Sequence, residues 1–401
     1  LYFYTNIDAP RYRVVAVDPA RPERANWRTV VPETDDVLNG VSFTDGNKLI
    51  LNYDHDAANR AFLADLNGKI IREIELPTYG SVGFSTDKDS DEVFYSFSSF
   101  TYPACNYAYN LHTGESTFLC RNEVPGLDPD AYVTEQVFYT SKDGTRVPMF
   151  IVYKKGISLD GTNPTLLYGY GGFAVTLNPG FNANRMLWLE NGGIYAMANL
   201  RGGNEYGEDW HLAGTKLNKQ NVFDDFISAA EYLVEKGYTS PSRLAIQGGS
   251  NGGLLIGATV NQRPDLFAVA IPQVGVMDMM RYHLFTIGWN WAPDYGTSDD
   301  SAEMAEYLLG YSPVHNIRND GTPYPAILVT TADHDDRVVP AHSFKYAATL
   351  QASDTGDKPK LIRIDSKAGH GAGKPIAKII DEQADIYSFI FQNLGVNPTE
   401  K

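Results

Sequence analysis

The pentapeptide Gly-Gly-Ser-Asn-Gly at 248–252 constrains the fold more than any other stretch of this sequence. The apolar residues within 243–247 predict a buried strand, and 251–262 predicts a helix that stops before a proline. A G-x-S-x-G pattern in this context is typical of a strained turn, where side chains on the flanking glycines would collide with neighbouring elements. The turn predicts Ser250 as an exposed nucleophile and leaves the Asn251 amide free to face an oxyanion. The alternative is a structural glycine turn with a spectator serine.

Strands and helices alternate from residue 135 onward, which is typical of a doubly wound α/β sheet. Residues 135–156 predict a hairpin, and amphipathic patterns predict helices at 221–236 and 376–394. Further strands are predicted at 165–168, 194–198, 244–247, 267–272, 326–331 and 360–364. Together with the serine turn, this order predicts an α/β-hydrolase domain over 135–401, with its site beyond the carboxyl ends of the strands.

The first third of the chain, 1–123, repeats a β pattern. Asp18, Asp65 and Asn110 follow corresponding strands and are 47 and 45 residues apart, a period that suits four-stranded propeller blades. The first unit is too short for its innermost strand, and three blades do not close a ring. We therefore expect an incomplete β-propeller of about three blades, with a linker at 124–134 and the missing blades elsewhere in a larger protein or on another polypeptide. A small β-sandwich is the alternative.

Composition excludes several classes of function. The length of 401 residues favours two domains, and the net charge of −16 argues against nucleic acid or an anionic membrane as a partner. No apolar run approaches the roughly 20 residues that a membrane span requires. Cys105 and Cys120 are too few for a disulfide framework, which favours a cytoplasmic setting. We expect neither a metal nor another cofactor, because the acidic run at 333–336 has no second ligand pair at a matching spacing.

A serine nucleophile requires a histidine base and a carboxylate, which follow it in this fold in the order acid, then histidine. His370 lies in a glycine-rich loop after a predicted strand and is favoured over His342, which falls in a helical pattern. The residues alone do not select the acid. Three aspartates of one loop compete for that role: Asp333, Asp335 and Asp336.

Several strings closely resemble the prolyl oligopeptidase family. They are Tyr-Gly-Tyr-Gly-Gly-Phe at 168–173, Asn-Leu-Arg-Gly-Gly-Asn-Glu-Tyr-Gly at 199–207, Gly-Gly-Ser-Asn-Gly-Gly at 248–253, Ala-Asp-His-Asp-Asp-Arg-Val-Val-Pro at 332–340 and Lys-Ala-Gly-His-Gly-Ala-Gly-Lys-Pro at 367–375. The resemblance extends from about 135 to 395, and propeller blades before a hydrolase domain fit it as well. Members of that family begin with a hydrolase segment and carry a seven-bladed propeller, which this sequence does not match in full.

The resemblance implies roles for individual residues. It implies Ser250 as nucleophile, His370 as base and Asp335 as acid, the last because an arginine stands two positions later. It also implies that the Tyr170 hydroxyl binds the oxyanion together with the Asn251 amide.

The resemblance further implies a pocket for proline. Trp291 would stack on the substrate pyrrolidine, and Arg337 would bind the carbonyl of the preceding residue. The remaining apolar lining would come from Phe173, Val276, Tyr295 and Val338. An aromatic floor without charge favours a flat apolar ring over Lys or Arg, although core packing is the alternative for each of these residues.

These patterns predict a serine endopeptidase that cuts short proline-containing peptides after proline through an acyl-enzyme. One alternative keeps this machinery but transfers the acyl group to a peptide amine and closes a ring. A peptidase for basic residues is disfavoured by Trp291 and by the lack of an evident acidic slot. A catalytically silent scaffold built on propeller blades is the alternative from another class.

Overall fold

A computed structural model describes residues 1–371 and 373–398 of the chain. The chain divides into two compact units, and two later segments join the first of them. The first unit comprises Leu1–Thr134, Thr176–Ala183 and Asn204–His211, and the second comprises Glu135–Val175, Asn184–Gly203 and Leu212–Lys401. Within the described residues, no helix has the length and apolar character needed to cross a membrane.

Three antiparallel sheets make up most of the first unit. Its strands are β1 (Tyr2–Thr5), β2 (Arg13–Ala16), β3 (Arg28–Val31), β4 (Val37–Thr44), β5 (Lys48–His55), β6 (Ala58–Asp65), β7 (Ile70–Ile74), β8 (Ser81–Ser85), β9 (Glu92–Ser98), β10 (Cys105–Asn110) and β11 (Ser116–Arg121). They form sheets in the orders β1-β2-β3, β4-β5-β6-β7 and β11-β10-β9-β8. The predicted incomplete propeller of about three blades is confirmed.

Neighbouring blades bury apolar side chains against each other, as propeller blades must. The first and second sheets share a core of Val14, Val30, Val31, Leu38, Leu49, Leu51, Tyr53 and Ala64. The second and third sheets share a core of Ile50, Ala61, Leu63, Ile74, Val82, Val93, Tyr95, Phe97, Tyr109 and Leu111. Each blade is thus stabilised by the face of the next one.

The repeated polar residues Asp18, Asp65 and Asn110 have one structural role. Each lies at the end of the equivalent strand of its blade, after β2, β6 and β10. Each side-chain Oδ1 accepts a hydrogen bond from the backbone amide two residues later, at 2.9, 2.8 and 2.9 Å respectively. This side-chain turn explains why the sequence repeat falls at Asp or Asn.

The segments that return to the first unit are held by hydrogen bonds to the blades. Asn178 Nδ2 donates to Asp54 Oδ1 at 3.0 Å and to the Ala57 carbonyl at 2.9 Å. The Glu208 amide donates to the Pro10 carbonyl at 2.8 Å. Burial raises the pKa of Asp54 to about 6, and the amide donors oppose that shift. A single boundary drawn along the sequence therefore does not separate the two units.

The second unit is built on one eight-stranded sheet in the order β12-β13-β15-β14-β16-β17-β18-β19. The strands are β12 (Tyr132–Thr140), β13 (Arg146–Lys154), β14 (Thr165–Tyr168), β15 (Ile194–Ala198), β16 (Leu244–Gly249), β17 (Val269–Gln273), β18 (Ala326–Ala332) and β19 (Lys360–Asp365). Within the described residues the α-helices are α1 (Ala183–Glu190), α2 (Glu208–Leu212), α3 (Gln220–Glu235), α4 (Asn251–Gln262), α5 (Ala292–Tyr295), α6 (Ala302–Tyr311), α7 (Ala341–Ala352) and α8 (Ile376–Leu394).

Strand direction in this sheet sets the position of the site. β13 pairs antiparallel with β15, whereas the neighbours from β15 through β19 pair in parallel. The carboxyl ends of β16, β18 and β19 therefore meet at one edge of the sheet. The predicted α/β-hydrolase sheet is confirmed, although β12 begins at Tyr132, within the predicted linker.

Candidate active site

Ser250 occupies a strained turn between β16 and α4. Its backbone has φ 59° and ψ −117°, a conformation that residues with a side chain seldom adopt. The Ser250 amide donates to the Gln273 carbonyl at 2.9 Å, and the Ser250 carbonyl accepts from the Gly253 amide at 2.9 Å. These bonds fix the turn on both sides, so that the half-buried serine is held at the edge of the sheet.

The two glycines that define the turn are required by close backbone approach. A Cβ on Gly248 would lie 2.5 Å from the Gly252 carbonyl oxygen, and a Cβ on Gly252 would lie 2.8 Å from the Gly169 carbonyl oxygen. Gly249 differs, because no atom lies within 4 Å of the Cβ it would carry. The collisions expected at the flanking glycines are thus present at Gly248 and Gly252.

Tyr170 and Asn251 meet at this turn. Tyr170 lies close enough to Ser250 for the serine side chain to influence the pKa of the phenol. Burial raises the pKa of Tyr170, Asp294 raises it further, and Arg337 opposes the shift, so the phenol stays protonated and able to donate. Asn251 is buried, and its Nδ2 donates to the Tyr170 carbonyl at 2.6 Å. Two potential donors, the Tyr170 hydroxyl and the Asn251 amide, therefore flank Ser250.

His370 lies against the carboxylate of Asp335. The His370 Nδ1 is 2.6 Å from Asp335 Oδ2, and the Asp335 side chain is fully buried. Asp335 Oδ1 accepts from the amides of Arg337 at 3.0 Å and Val338 at 2.9 Å. One oxygen of the Asp335 carboxylate is thus bound by backbone amides, and the other lies against the Nδ1 side of the imidazole.

The competing residues of the same loops have other partners. Asp333 Oδ1 lies 2.6 Å from His334 Nδ1 in an exposed pair, and Asp336 is exposed. His342 is buried in α7, where its Nδ1 accepts from the Asp278 amide at 3.1 Å. Burial lowers the pKa of His342 to about 4. The structure thus brings Asp335 to His370 and places His342 in the interior.

His370 also lines a small cavity next to the serine turn. The cavity has a volume of about 190 Å³, and its walls include Gly249, directly before Ser250. Gln273, the last residue of β17, and Val274 directly after it complete that side. The histidine loop and the serine turn therefore border the same space.

The aromatic residues predicted for a proline pocket are connected to one another. The rings of Phe173 and Tyr295 meet edge to face with centroids 5.3 Å apart. Tyr282 lies between Tyr295, at 5.3 Å, and Trp291, with which it stacks at 6.1 Å. Trp291 is half-buried, so part of its indole faces open space. These four side chains, none of which carries a formal charge, thus form a continuous aromatic wall made of Phe173, Tyr295, Tyr282 and Trp291.

The other predicted pocket residues are distributed around this wall. Val276 and Val338 are each 2% exposed. The backbone amide of Val338 donates a hydrogen bond to Asp335, which connects Val338 to the site. Arg337 is exposed and lies near enough to Tyr170 to influence its pKa. The structure connects Val338 and Arg337 directly to the site, whereas Val276 is a buried residue beyond the end of β17.

Sequence reasoning missed three residues of this region. Tyr282 bridges the aromatic pair, Asp294 Oδ2 accepts from the Phe173 amide at 2.7 Å, and the Lys219 ammonium donates to Asn251 Oδ1 at 3.1 Å. Lys219 falls in a polar run that is typical of a solvated segment, and Asp294 follows a proline as in an ordinary turn. No signal in the sequence marks either one as buried.

The parallel strands, the strained serine turn and the pairing of His370 with the buried Asp335 define an α/β-hydrolase domain that follows propeller blades. Residues 179–397 match the model of the prolyl oligopeptidase family, and residues 1–121 match the model of the prolyl oligopeptidase N-terminal beta-propeller domain. The chain belongs to the prolyl oligopeptidase family.

Individual relatives agree with this classification. The chain is 50% identical over 397 residues to a prolyl endopeptidase of Elizabethkingia meningoseptica, covering 99% of the chain and 56% of that protein. A solved structure from a structural and mechanistic analysis of two prolyl endopeptidases has a TM-score of 0.95 at 48% identity, covering 99% of the chain and 58% of its own. Prolyl oligopeptidase B from Galerina marginata, bound to a 35mer hydrolysis and macrocyclization substrate, has a TM-score of 0.94 at 37% identity, covering 99% and 57%. The chain thus spans little more than half the length of these relatives.

The serine turn predicts a sharp contrast between adjacent glycines. Gly248→Ala should destabilise the chain by about 1–3 kcal/mol, because its new Cβ overlaps the Gly252 carbonyl. Gly249→Ala should change stability by less than about 0.5 kcal/mol, because its Cβ would meet open space. Thermal unfolding of both variants beside the native chain measures the difference. Equal unfolding temperatures for the two variants would contradict the close approach described above.

Proposed function

We propose that this chain carries the catalytic site of a serine endopeptidase that hydrolyses short peptides on the carboxyl side of proline. The observation that carries the proposal is the pairing of His370 Nδ1 with the buried Asp335 carboxylate at 2.6 Å, in the same unit as the strained turn of Ser250. The relatives named prolyl endopeptidase support the same activity.

Acylation begins with the Ser250 hydroxyl. Its oxygen attacks the carbonyl carbon of the substrate proline while His370 Nε2 takes its proton, and Asp335 stabilises the resulting imidazolium. The negative charge that forms on the carbonyl oxygen is bound by the Asn251 amide and the Tyr170 hydroxyl. His370 then protonates the leaving amine as the peptide bond breaks, which leaves the proline residue as an ester on Ser250.

Deacylation repeats these steps with water. His370 takes a proton from water as its oxygen attacks the ester carbon, and the same donors bind the second oxyanion. Breakage of the ester bond returns the proton to Ser250 and releases a peptide that ends in proline. The base and the oxyanion donors thus serve both halves of the reaction.

Specificity for proline follows from the aromatic wall. We assign Trp291 to stack on the pyrrolidine ring, with Phe173, Tyr295, Val276 and Val338 enclosing it. The ring contact between Phe173 and Tyr295 and the stacking of Trp291 on Tyr282 support this assignment. A flat, rigid ring gains contact with aromatic faces without losing much conformational freedom. An uncharged pocket would leave the ammonium of a lysine desolvated and unpaired. Arg337, exposed at the rim, would bind the carbonyl of the preceding residue.

Ring closure is the second candidate reaction. It is favoured by the similarity to the Galerina marginata enzyme, whose bound substrate is described as one for hydrolysis and macrocyclization. The two reactions share the acyl-enzyme and differ in whether water or a peptide amine attacks it. Mass spectrometry of the products from a long proline-containing peptide separates them, because a cyclised product lacks the mass of one water.

Replacement of the nucleophile tests the main proposal. Ser250→Ala should lower kcat for a proline-ended reporter peptide by about 10⁴-fold or more, because no hydroxyl remains to be acylated. A fluorophosphonate probe should label the native chain at Ser250 and leave the variant unlabelled, with unchanged circular dichroism as the folding control. A native chain that the probe does not label would favour the silent binding scaffold instead.

The aspartate loop offers a matched pair of substitutions. Asp335→Asn should lower kcat by about 10⁴-fold, because an amide at this position no longer fixes the tautomer of His370 or stabilises its charged form. Asp333→Asn, the same change two residues away in an exposed pair with His334, should leave kcat within about twofold. Steady-state kinetics on the reporter peptide measures both. Equal losses in the two variants would overturn the assignment of the acid.

We further propose that additional propeller blades, elsewhere in a larger protein or on another polypeptide, cover the edge strand β1 of the first sheet. Tyr2, Phe3 and Tyr4 of β1 are 41%, 46% and 45% exposed, which is a row of large apolar side chains on a four-residue strand.

Short proline-containing peptides are the proposed substrates, and a cytoplasmic location stays a prediction supported by two free thiols.

Isolation of the native protein tests the companion blades. A polypeptide or chain segment with blade repeats of about 40–50 residues should accompany this sequence through affinity purification and size-exclusion chromatography. Tyr2→Ser and Phe3→Ser together should weaken that association, whereas the buried interior of the second blade is untouched by them. Isolation of a monomer of this chain alone, with full activity, would contradict the proposal.

A further inference from the structure

Lys219 is a buried lysine directly before α3. The residue is 1% exposed, and its Nζ donates to the Gly171 carbonyl at 2.8 Å and to Asn251 Oδ1 at 3.1 Å. The ammonium also lies 5.4 Å from the centroid of the Tyr295 ring. Burial lowers the pKa of Lys219 to about 8, and the negative charge of Asp294 opposes that shift. A buried charged group destabilises the fold unless hydrogen bonds and opposite charges compensate for its lost hydration.

The acceptors of this ammonium are neighbours of the proposed catalytic groups. Gly171 directly follows Tyr170, and Asn251 directly follows Ser250. Asn251 is itself a junction, because its Nδ2 donates to the Tyr170 carbonyl at 2.6 Å and its Oδ1 also accepts from the Tyr295 hydroxyl at 2.8 Å. Lys219 therefore joins the turn that carries one oxyanion donor to the residue that carries the other.

The backbone of the turn at 169–173 is closely packed and has little room to move. A Cβ on Gly172 would lie 2.6 Å from the Asn251 side-chain amide, and one on Gly171 would lie 2.3 Å from a Val222 methyl group. The far end of the turn is held by Asp294 Oδ2, which accepts from the Phe173 amide at 2.7 Å. The ammonium thus bridges two acceptors, Gly171 O and Asn251 Oδ1, which belong to different segments of the chain.

We propose that Lys219 is a positioning residue for the oxyanion site. Its ammonium holds the 169–173 turn against Asn251 and thereby fixes the Tyr170 hydroxyl relative to the Asn251 amide. This inference rests on the proposed function, in which those two groups bind the oxyanion. Two donors stabilise a developing charge best when their separation is set in advance, and a displacement of about 1 Å can cost a factor of about 10² in rate.

Removal of the ammonium tests this role in the full chain. Lys219→Met keeps the length of the side chain and removes its donors. We expect kcat for the reporter peptide to fall about 10- to 100-fold, with KM changed by less than about threefold, because the oxyanion exists only after attack. Lys154→Met is the control, since Lys154 at the end of β13 pairs with Glu190 of α1 at 3.2 Å, and the kcat of this variant should be unchanged.

A double-mutant cycle identifies the group through which Lys219 acts. Tyr170→Phe removes one oxyanion donor, and Lys219→Met in that background should cause little further loss of kcat. Losses that multiply would overturn positioning through Tyr170. A folded Lys219→Met chain with native kcat, or with KM raised and kcat retained, would overturn the inference as well. Where Lys219→Met does not fold, Lys219→Leu takes its place under the same criteria, because leucine also has no donor.

Fluorophosphonate labelling separates this inference from the function on which it rests. A native chain labelled at Ser250, together with a Lys219→Met chain labelled at least about tenfold more slowly, supports both. Equal labelling rates in the two chains overturn the positioning role and leave the serine hydrolase proposal intact. An unlabelled native chain overturns the proposed function, and the inference falls with it.

Discussion

The conformation of Ser250 is the constraint on which the rest of the second unit depends. A residue with a side chain is held at φ 59° because strand β16, helix α4 and the loop after β14 approach each other at backbone distance. Only glycine fits at Gly248 and Gly252, so the turn requires two positions that carry no side chain. The strain is opposed by hydrogen bonds on both sides of the serine and by a helix that is buried along nearly its whole length.

The second constraint is the parallel register of the last two strands. β18 and β19 pair residue by residue up to Thr331 with Ile364 and Ala332 with Asp365, so the loops that follow them leave the sheet side by side. This topology could be predicted from the alternation of strands and helices, and it brought His370 near an aspartate. The choice of Asp335 is different, because it depends on the amides of Arg337 and Val338, which capture one oxygen of that carboxylate. The residues of this loop alone, with aspartates at 333, 335 and 336, do not reveal which carboxylate accepts these hydrogen bonds.

Much of the fold was predictable because it follows from local chemistry. The positions of α4 and α8 follow from apolar periodicity, and both helices end near a proline or a glycine. The blades follow from the repeated polar turns. Two supports of the site were not predictable, since Lys219 and Asp294 resemble residues of exposed segments in the sequence. Their burial depends on contacts with residues that are distant in the chain, such as Asp294 with Phe173.

These distant contacts also explain how a cluster of aromatic rings can adjoin the polar residues around Ser250. The hydroxyl groups of the aromatic wall have hydrogen-bond partners, since the Tyr282 hydroxyl donates to the Gly296 carbonyl at 2.6 Å and the Tyr295 hydroxyl donates to Asn251 Oδ1 at 2.8 Å. The rings can then offer their faces to an apolar ligand without leaving a buried hydroxyl unpaired. Because Asn251 binds both Tyr295 and the Tyr170 backbone, the wall and the serine turn are one hydrogen-bonded structure. A ligand that displaces the wall must therefore also disturb the groups around Ser250.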